Sequence, residues 1–199
     1  MKLTRLAVSL GVAAALGGCS LGGLLGGGGK APPTLLRLTA EAAPTAIQRS
    51  AAAGDAITVN VPLVGKELRT TRVPAQVSPY DVQYLTDLMW IDTPDRLFQD
   101  LLAETIRRRT NRVVLDPRIT GMDPGLLVSG QLNRFGYDQA TGSVIVQFDG
   151  AIARNSGAQV QTRRFEATAP SAPDGASVGP ALNRAANQVA LEVAAWVGG

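Results

Sequence analysis

Three regimes of hydrophobic patterning divide the chain. Over residues 6–16 nearly every position is Ala, Val, Leu or Gly, and this run of about eleven is too short for a bilayer, which takes about twenty. Glycine then dominates residues 21–33, closed by Pro32-Pro33. Periodic patterning begins at Thr34. Residues 34–38 predict a short strand, and the alanine-rich, proline-interrupted stretch to Gly54 predicts a loop. Residues 56–61 alternate apolar and polar with period two, which predicts a half-buried strand stopped by Pro62. The part holding Pro74 and Pro79 reads as irregular and leads into a short strand at 81–85.

Thr93-Pro94-Asp95 then reads as a helix start, with Thr93 as N-cap and Pro94 at the first helical position. Leu97, Phe98, Leu101, Leu102 and Ile106 fall on one face at helical spacing, and the helix should end near Arg107-Arg108-Arg109. Residues 112–115 predict a strand stopped by Asp116-Pro117. Longer strands are expected at 126–137, 143–155 and 159–169, separated by turn signals at 138–142 and at Asn155-Ser156-Gly157. A last helix over 177–197 would turn Leu182, Ala185, Ala186, Val189, Val193 and Trp196 inward. The expected fold is therefore α+β: a two-layer sandwich with a mostly antiparallel mixed sheet and two main helices on one face.

Composition narrows the chemistry. The 199 residues make one domain with a short appendage. They contain no histidine and one cysteine, which removes imidazole bases, histidine metal ligands, intramolecular disulfides and cysteine metal clusters. The net charge of +3 shrinks once Lys2 and Arg5 are set aside, leaving 17 basic against 16 acidic residues, so charge gives nucleic-acid binding no support. No metal or other cofactor is implied.

The extreme N-terminus reads as an address. Lys2 and Arg5 precede the apolar run, and Leu16-Gly17-Gly18-Cys19 resembles the lipobox of bacterial lipoproteins. The expected organisation is a signal peptide at 1–18, a lipidated Cys19 opening a Gly/Pro-rich tether at 19–33, and a folded domain at 34–199. Acyl chains on Cys19, palmitate among them, would anchor the chain stably, each buried CH₂ contributing about 0.8 kcal/mol. Ser20 after the cysteine, by resemblance to the enterobacterial sorting rule, favours the outer membrane facing the periplasm. A tether of this composition reaches about 20 Å as a coil and about 50 Å when stretched.

Candidate sites each have two readings. Asp92 and Asp95 could form an acid/base pair, or could oppose the dipole of the helix start. Arg107, Arg108, Arg109 and Arg112 could clamp phosphate or an acidic partner, or could serve the helix C-terminus. Tyr80, Tyr84, Met89 and Trp90 form the densest aromatic cluster, either a ledge for lipid or a partner or packing beneath the first helix. Ser129-Gly130 belongs to no nucleophile motif, there is no G-x-S-x-G or S-x-x-K, and Gly26 to Gly29 precede no phosphate-binding strand and helix. No catalytic constellation remains, and the chain is expected not to be an enzyme.

Leu68-Arg69-Thr70-Thr71-Arg72, then Asp81-Val82-Gln83-Tyr84, then Trp90 and a helix with Leu97, Leu101 and Ile106 resemble the ABC-type transport auxiliary lipoprotein family. The resemblance implies a lipid-anchored periplasmic subunit. Its partners would be an MCE-domain protein and the ABC permease and ATPase of the same system, moving phospholipids or other hydrophobic molecules across the envelope. On this reading the expected partner contact is Arg69, Arg72, Tyr80, Tyr84 and Trp90, and a homo-oligomer is allowed. Residues 73–79 read as a long proline-rich insertion relative to some family members. The alternative is a lipoprotein of lipopolysaccharide or outer-membrane assembly; an envelope hydrolase is disfavoured by the missing histidine.

Overall fold

A long antiparallel meander carries the fold: β7 (Leu126–Asp138), β8 (Ser143–Arg154) and β9 (Gln159–Pro170). The computed structural model describes residues 35–44, 49–52, 54–110, 112–118 and 125–198, so the expected signal peptide, Cys19 and tether lie outside the described residues. Apolar alternation makes these strands, since Val144, Val146, Phe148 and Ile152 on β8 and Phe165, Ala167 and Ala169 on β9 are all buried. Asn155, Ser156 and Gly157 take φ of +50°, +54° and +91° at the β8–β9 turn, the left-handed region that asparagine and glycine tolerate best.

The other edge of β7 is shared. Its start pairs in parallel with β2 (Ile57–Val59), its middle with β3 (Leu63–Val64) and its end with β4 (Arg72–Ser78). From β4 the sheet continues through antiparallel β5 (Asp81–Trp90) to parallel β1 (Leu35–Leu36), while β2 also pairs with β6 (Val114–Leu115). The sheet is thus mixed around an antiparallel meander, as expected.

Helices α1 (Pro94–Arg109) and α2 (Gly175–Gly198) lie side by side on one face, giving the two-layer α+β sandwich. Thr93 holds the N-cap position with extended backbone, but its hydroxyl makes no capping bond; α1 buries the predicted Leu97, Phe98, Leu101, Leu102 and Ile106. Asp174 caps α2, its carboxylate accepting from the Ser177 N–H at 2.8 Å, so the helix begins two residues earlier than predicted. Beneath the helices runs an aromatic chain: Trp90 to Phe135 at 5.4 Å, Phe135 to Phe98 at 6.4 Å and Phe98 to Phe148 at 5.3 Å. Burying each such side chain contributes about 1.5–3 kcal/mol.

Two expectations need correction. The stretch holding Pro74 and Pro79 is not irregular, because 72–78 form β4; and β5 runs to Trp90 instead of ending at 85. Pro74 is tolerated because it sits at a register shift where the ladder is already broken. At Gly136 of β7 the β4 backbone comes so close that a Cβ would lie 2.3 Å from the Pro74 carbonyl oxygen.

Beyond β1 the chain leaves the sheet and runs as a strap across both helices. Asn183 and Asn187, one turn apart on α2, hold it: the Thr39 N–H donates to Asn183 Oδ1 at 2.8 Å and the Glu41 N–H to Asn187 Oδ1 at 2.8 Å. Asn187 Nδ2 returns a bond to the Thr39 carbonyl at 2.8 Å, and Arg108 of α1 donates to the Ala42 carbonyl at 2.8 Å. Leu38 and Ala42 are buried along this path.

Candidate interaction face

The face of the sheet away from the helices is open, and the pairing around β5 decides what it displays. Between the pairs Arg72↔Met89 and Pro74↔Tyr84, five steps along β5 are matched by two along β4. The surplus of three is odd, so it reverses which residues point to which face. Asp87, with φ of +57°, lies inside this bulge. Tyr84 therefore points to the open face, while Leu88 and Trp90 point into the core at 3% and 1% exposure.

This divides the five residues expected to form the partner contact. The Arg72 guanidinium stacks 4.5 Å above the Tyr84 ring, and the Tyr84 hydroxyl donates to the Glu67 carbonyl at 3.2 Å. Arg69, two residues after Glu67 in the turn entering β4, is exposed and reaches the Val64 carbonyl at 3.5 Å, so it adjoins the stack along the chain. Tyr80 stands apart at the tip of the β4–β5 hairpin, 95% exposed. Trp90 cannot share a surface with them, because it is a core residue packed on Phe135.

Beside the Arg72–Tyr84 stack lies a groove of about 90 Å³, lined by Leu68, Pro74, Gln76, Val82, Arg134 and Gly136 among others. Sites for whole small molecules usually have about 300–1,000 Å³. The groove suits one inserted side chain better than a lipid. Farther along, the open face is polar. Arg164 grips Asp149 with bonds of 2.6 and 2.7 Å, Asn133 donates to Asp149 at 2.8 Å and Arg134 to Asp138 at 2.7 Å. The hydrogen bond from Arg164 holds the Asp149 carboxyl below its usual range, and that from Arg134 does the same for Asp138. These pairs are exposed or partly exposed and add little stability, but they fix the pattern of charge.

The arginine cluster serves structure. Burial pushes the Glu104 carboxyl up, yet hydrogen bonds from Arg108 and Arg107 outweigh it and leave its pKa lowered. Arg112 donates to the Asp55 carbonyl at 3.2 Å, and Arg49 reaches the Arg107 and Thr110 carbonyls at the end of α1. Only Arg109 of the predicted set is exposed. Asp92 accepts from the Thr93 N–H at 2.7 Å and Asp95 lies in the first turn of α1, the helix-start reading of both. Among the described residues no cluster of three or more acidic, Cys or His groups could hold a metal, and no helix is long and apolar enough to cross a membrane.

Sequence reasoning missed Asn183 and Asn187. Two amides four residues apart on an otherwise apolar helix face were the available signal, since a buried amide needs partners. It also missed Pro74, Val82 and Arg134 as neighbours around the groove.

The α+β sandwich with its open, polar sheet face defines the class of fold, and comparison with known proteins specifies it. The model of the ABC-type transport auxiliary lipoprotein component matches residues 36–194, and the chain belongs to that family. Protein XCC0632 from Xanthomonas campestris, of the DUF330 family, is similar in structure at TM-score 0.71 and 18% identity, over 83% of this chain and 94% of that one. A second solved structure, of an uncharacterized protein, gives TM-score 0.59 and 14% identity over 76% and 94%. At these identities the likeness shows a shared fold. No curated protein matches the chain.

Proposed function

We propose that this protein is the non-enzymatic accessory lipoprotein of an MCE-type ABC transport system, anchored through Cys19 at the periplasmic face of the outer membrane. There it helps phospholipids or other hydrophobic molecules pass between membranes. The observation that carries the reading is the family match across 36–194, nearly the whole folded domain. The groove beside the Arg72–Tyr84 stack supports it, because a chain that docked a transporter would need a seat for a partner side chain.

The docking neighbourhood in this reading is Arg69, Arg72 and Tyr84 with the adjoining groove. The stack holds a flat cation at the groove's edge, where it meets an acidic or aromatic partner group. The MCE-domain protein and the permease with its ATPase are the proposed partners, with no role for nucleic acid. Among the described residues β9 pairs with β8 alone, so its outer edge supports a homo-oligomer.

The test is a double variant, Arg72→Ala with Tyr84→Ala. Its circular dichroism should match wild type while recovery of the MCE-domain protein after cross-linking falls. Undiminished recovery would remove this face from the contact.

A further inference from the structure

The direction of β1 carries information about the membrane. β1 runs parallel to β5, with Leu35 opposite Met89 and Leu36 opposite Trp90. Its N-terminal end, where the tether joins, therefore looks along β5 toward the β4–β5 turn at Pro79-Tyr80. Six strand steps from Arg72, which pairs with Met89, to Ser78 place that turn about 20 Å from Leu35. About fifteen residues separate Cys19 from Leu35, with a covalent limit of about 50 Å. An anchor at Cys19 can thus bring this end of the domain to the bilayer with chain to spare.

The turn is built to present one side chain. Ser78 Oγ donates to the Asp81 carboxylate at 2.7 Å and accepts from the Tyr80 N–H at 3.3 Å, so the turn is braced by its own bonds. Tyr80 projects 95% exposed, and Val82 beside it is 43% exposed. The β7–β8 turn lies at the same end, the Gln139 N–H donating to the Gln76 carbonyl at 2.9 Å. Its Gln139, Ala140 and Thr141 are uncharged; the charged residues flanking the two turns are Asp81 and the paired Asp138 and Arg134, and Asp174 lies in the loop after β9, whose Ser171 N–H donates to the Gly142 carbonyl at 3.2 Å. A tyrosine on such an end suits a lipid interface, where the ring sits at headgroup level and the hydroxyl stays wet.

We infer that the β4–β5 hairpin tip is the membrane-facing end of the domain, with Tyr80 seated in the lipid headgroup layer. The inference rests on the proposed anchoring through Cys19. It leaves the Arg72–Tyr84 face looking sideways, free for a partner. The opposite end, with the β8–β9 turn and the C-termini of both helices, then faces away from the bilayer.

The anchor simplifies the test, because acylation consumes the chain's one cysteine. Tyr80→Cys and, at the opposite end, Ala158→Cys would each be labelled with an environment-sensitive fluorophore in the full-length lipidated protein. The protein would be held in phosphatidylethanolamine–phosphatidylglycerol vesicles with and without nitroxide lipid. The expected result is a blue shift and nitroxide quenching for the probe at position 80 and neither at position 158. Quenching at 158 alone, or at neither position, overturns the proposal. Mass spectrometry of the unlabelled chain separates the two levels: an unacylated Cys19, which would itself take the label, overturns the anchoring and the tip contact with it.

Discussion

Asn187→Ala removes one amide from under the strap and leaves the rest of α2 intact. Asn187 is 1% exposed and accepts from the Glu41 N–H while donating to the Thr39 carbonyl, both at 2.8 Å. Each strap group left without a partner in a part-buried place costs about 1–3 kcal/mol. The upper sum is not reached, because the strap can lift and let water replace the amide, which limits the loss to about 2–4 kcal/mol. For a domain of this size that lowers the Tm by about 5–15 °C. Urea or thermal melts read the total, and native-state hydrogen exchange reads where it falls. Exchange at the Thr39 and Glu41 amides should rise well above that at β8 positions such as Val146, because the strap opens without the sheet. A variant with wild-type Tm and unaltered Glu41 exchange would refute the claim that these amides hold the strap.

Trp90→Ala should cost about 3–5 kcal/mol by emptying the space against Phe135, and a thermal melt distinguishes this from the near-neutral effect of removing an exposed residue. Gly136→Ala drives a methyl toward the Pro74 carbonyl and should destabilise by about 1–3 kcal/mol, lowering the urea midpoint. The carboxyls of Asp116, Asp138, Asp149 and Glu104 are all held below their usual range, that of Asp116 to about 2 by hydrogen bonds from Arg118. Such groups contribute stability that is present above the unfolded pKa near 4 and lost as pH falls through the folded value. The Tm should therefore hold above about pH 5 and decline between about pH 4 and pH 2; a rise across that window would contradict the pairing.

Legibility followed regularity. α1 was readable because five apolar residues keep helical spacing behind Thr93-Pro94, and the meander because its strands alternate and its turns carry Gly and Asn. β4 was hidden by Pro74, which local rules place outside a ladder but which the shift in register accommodates. The division of the aromatic cluster was hidden for a related reason. Tyr84 and Trp90 have the same parity, so an unbroken strand would put them on one face; the bulge at Asp87 separates them, and nothing local in the sequence marks it. The strap's partners lie about 145 positions away on α2, beyond any local pattern. The family, by contrast, was legible from the order of weak signals along the chain, each uninformative by itself.

The most direct measurement is to cross-link cells carrying the C-terminally tagged full-length protein, solubilise the membranes and identify the captured proteins by mass spectrometry. The account predicts recovery of an MCE-domain protein or the ABC permease of its system. Recovery of only outer-membrane assembly barrels, or of no transport component, would contradict it.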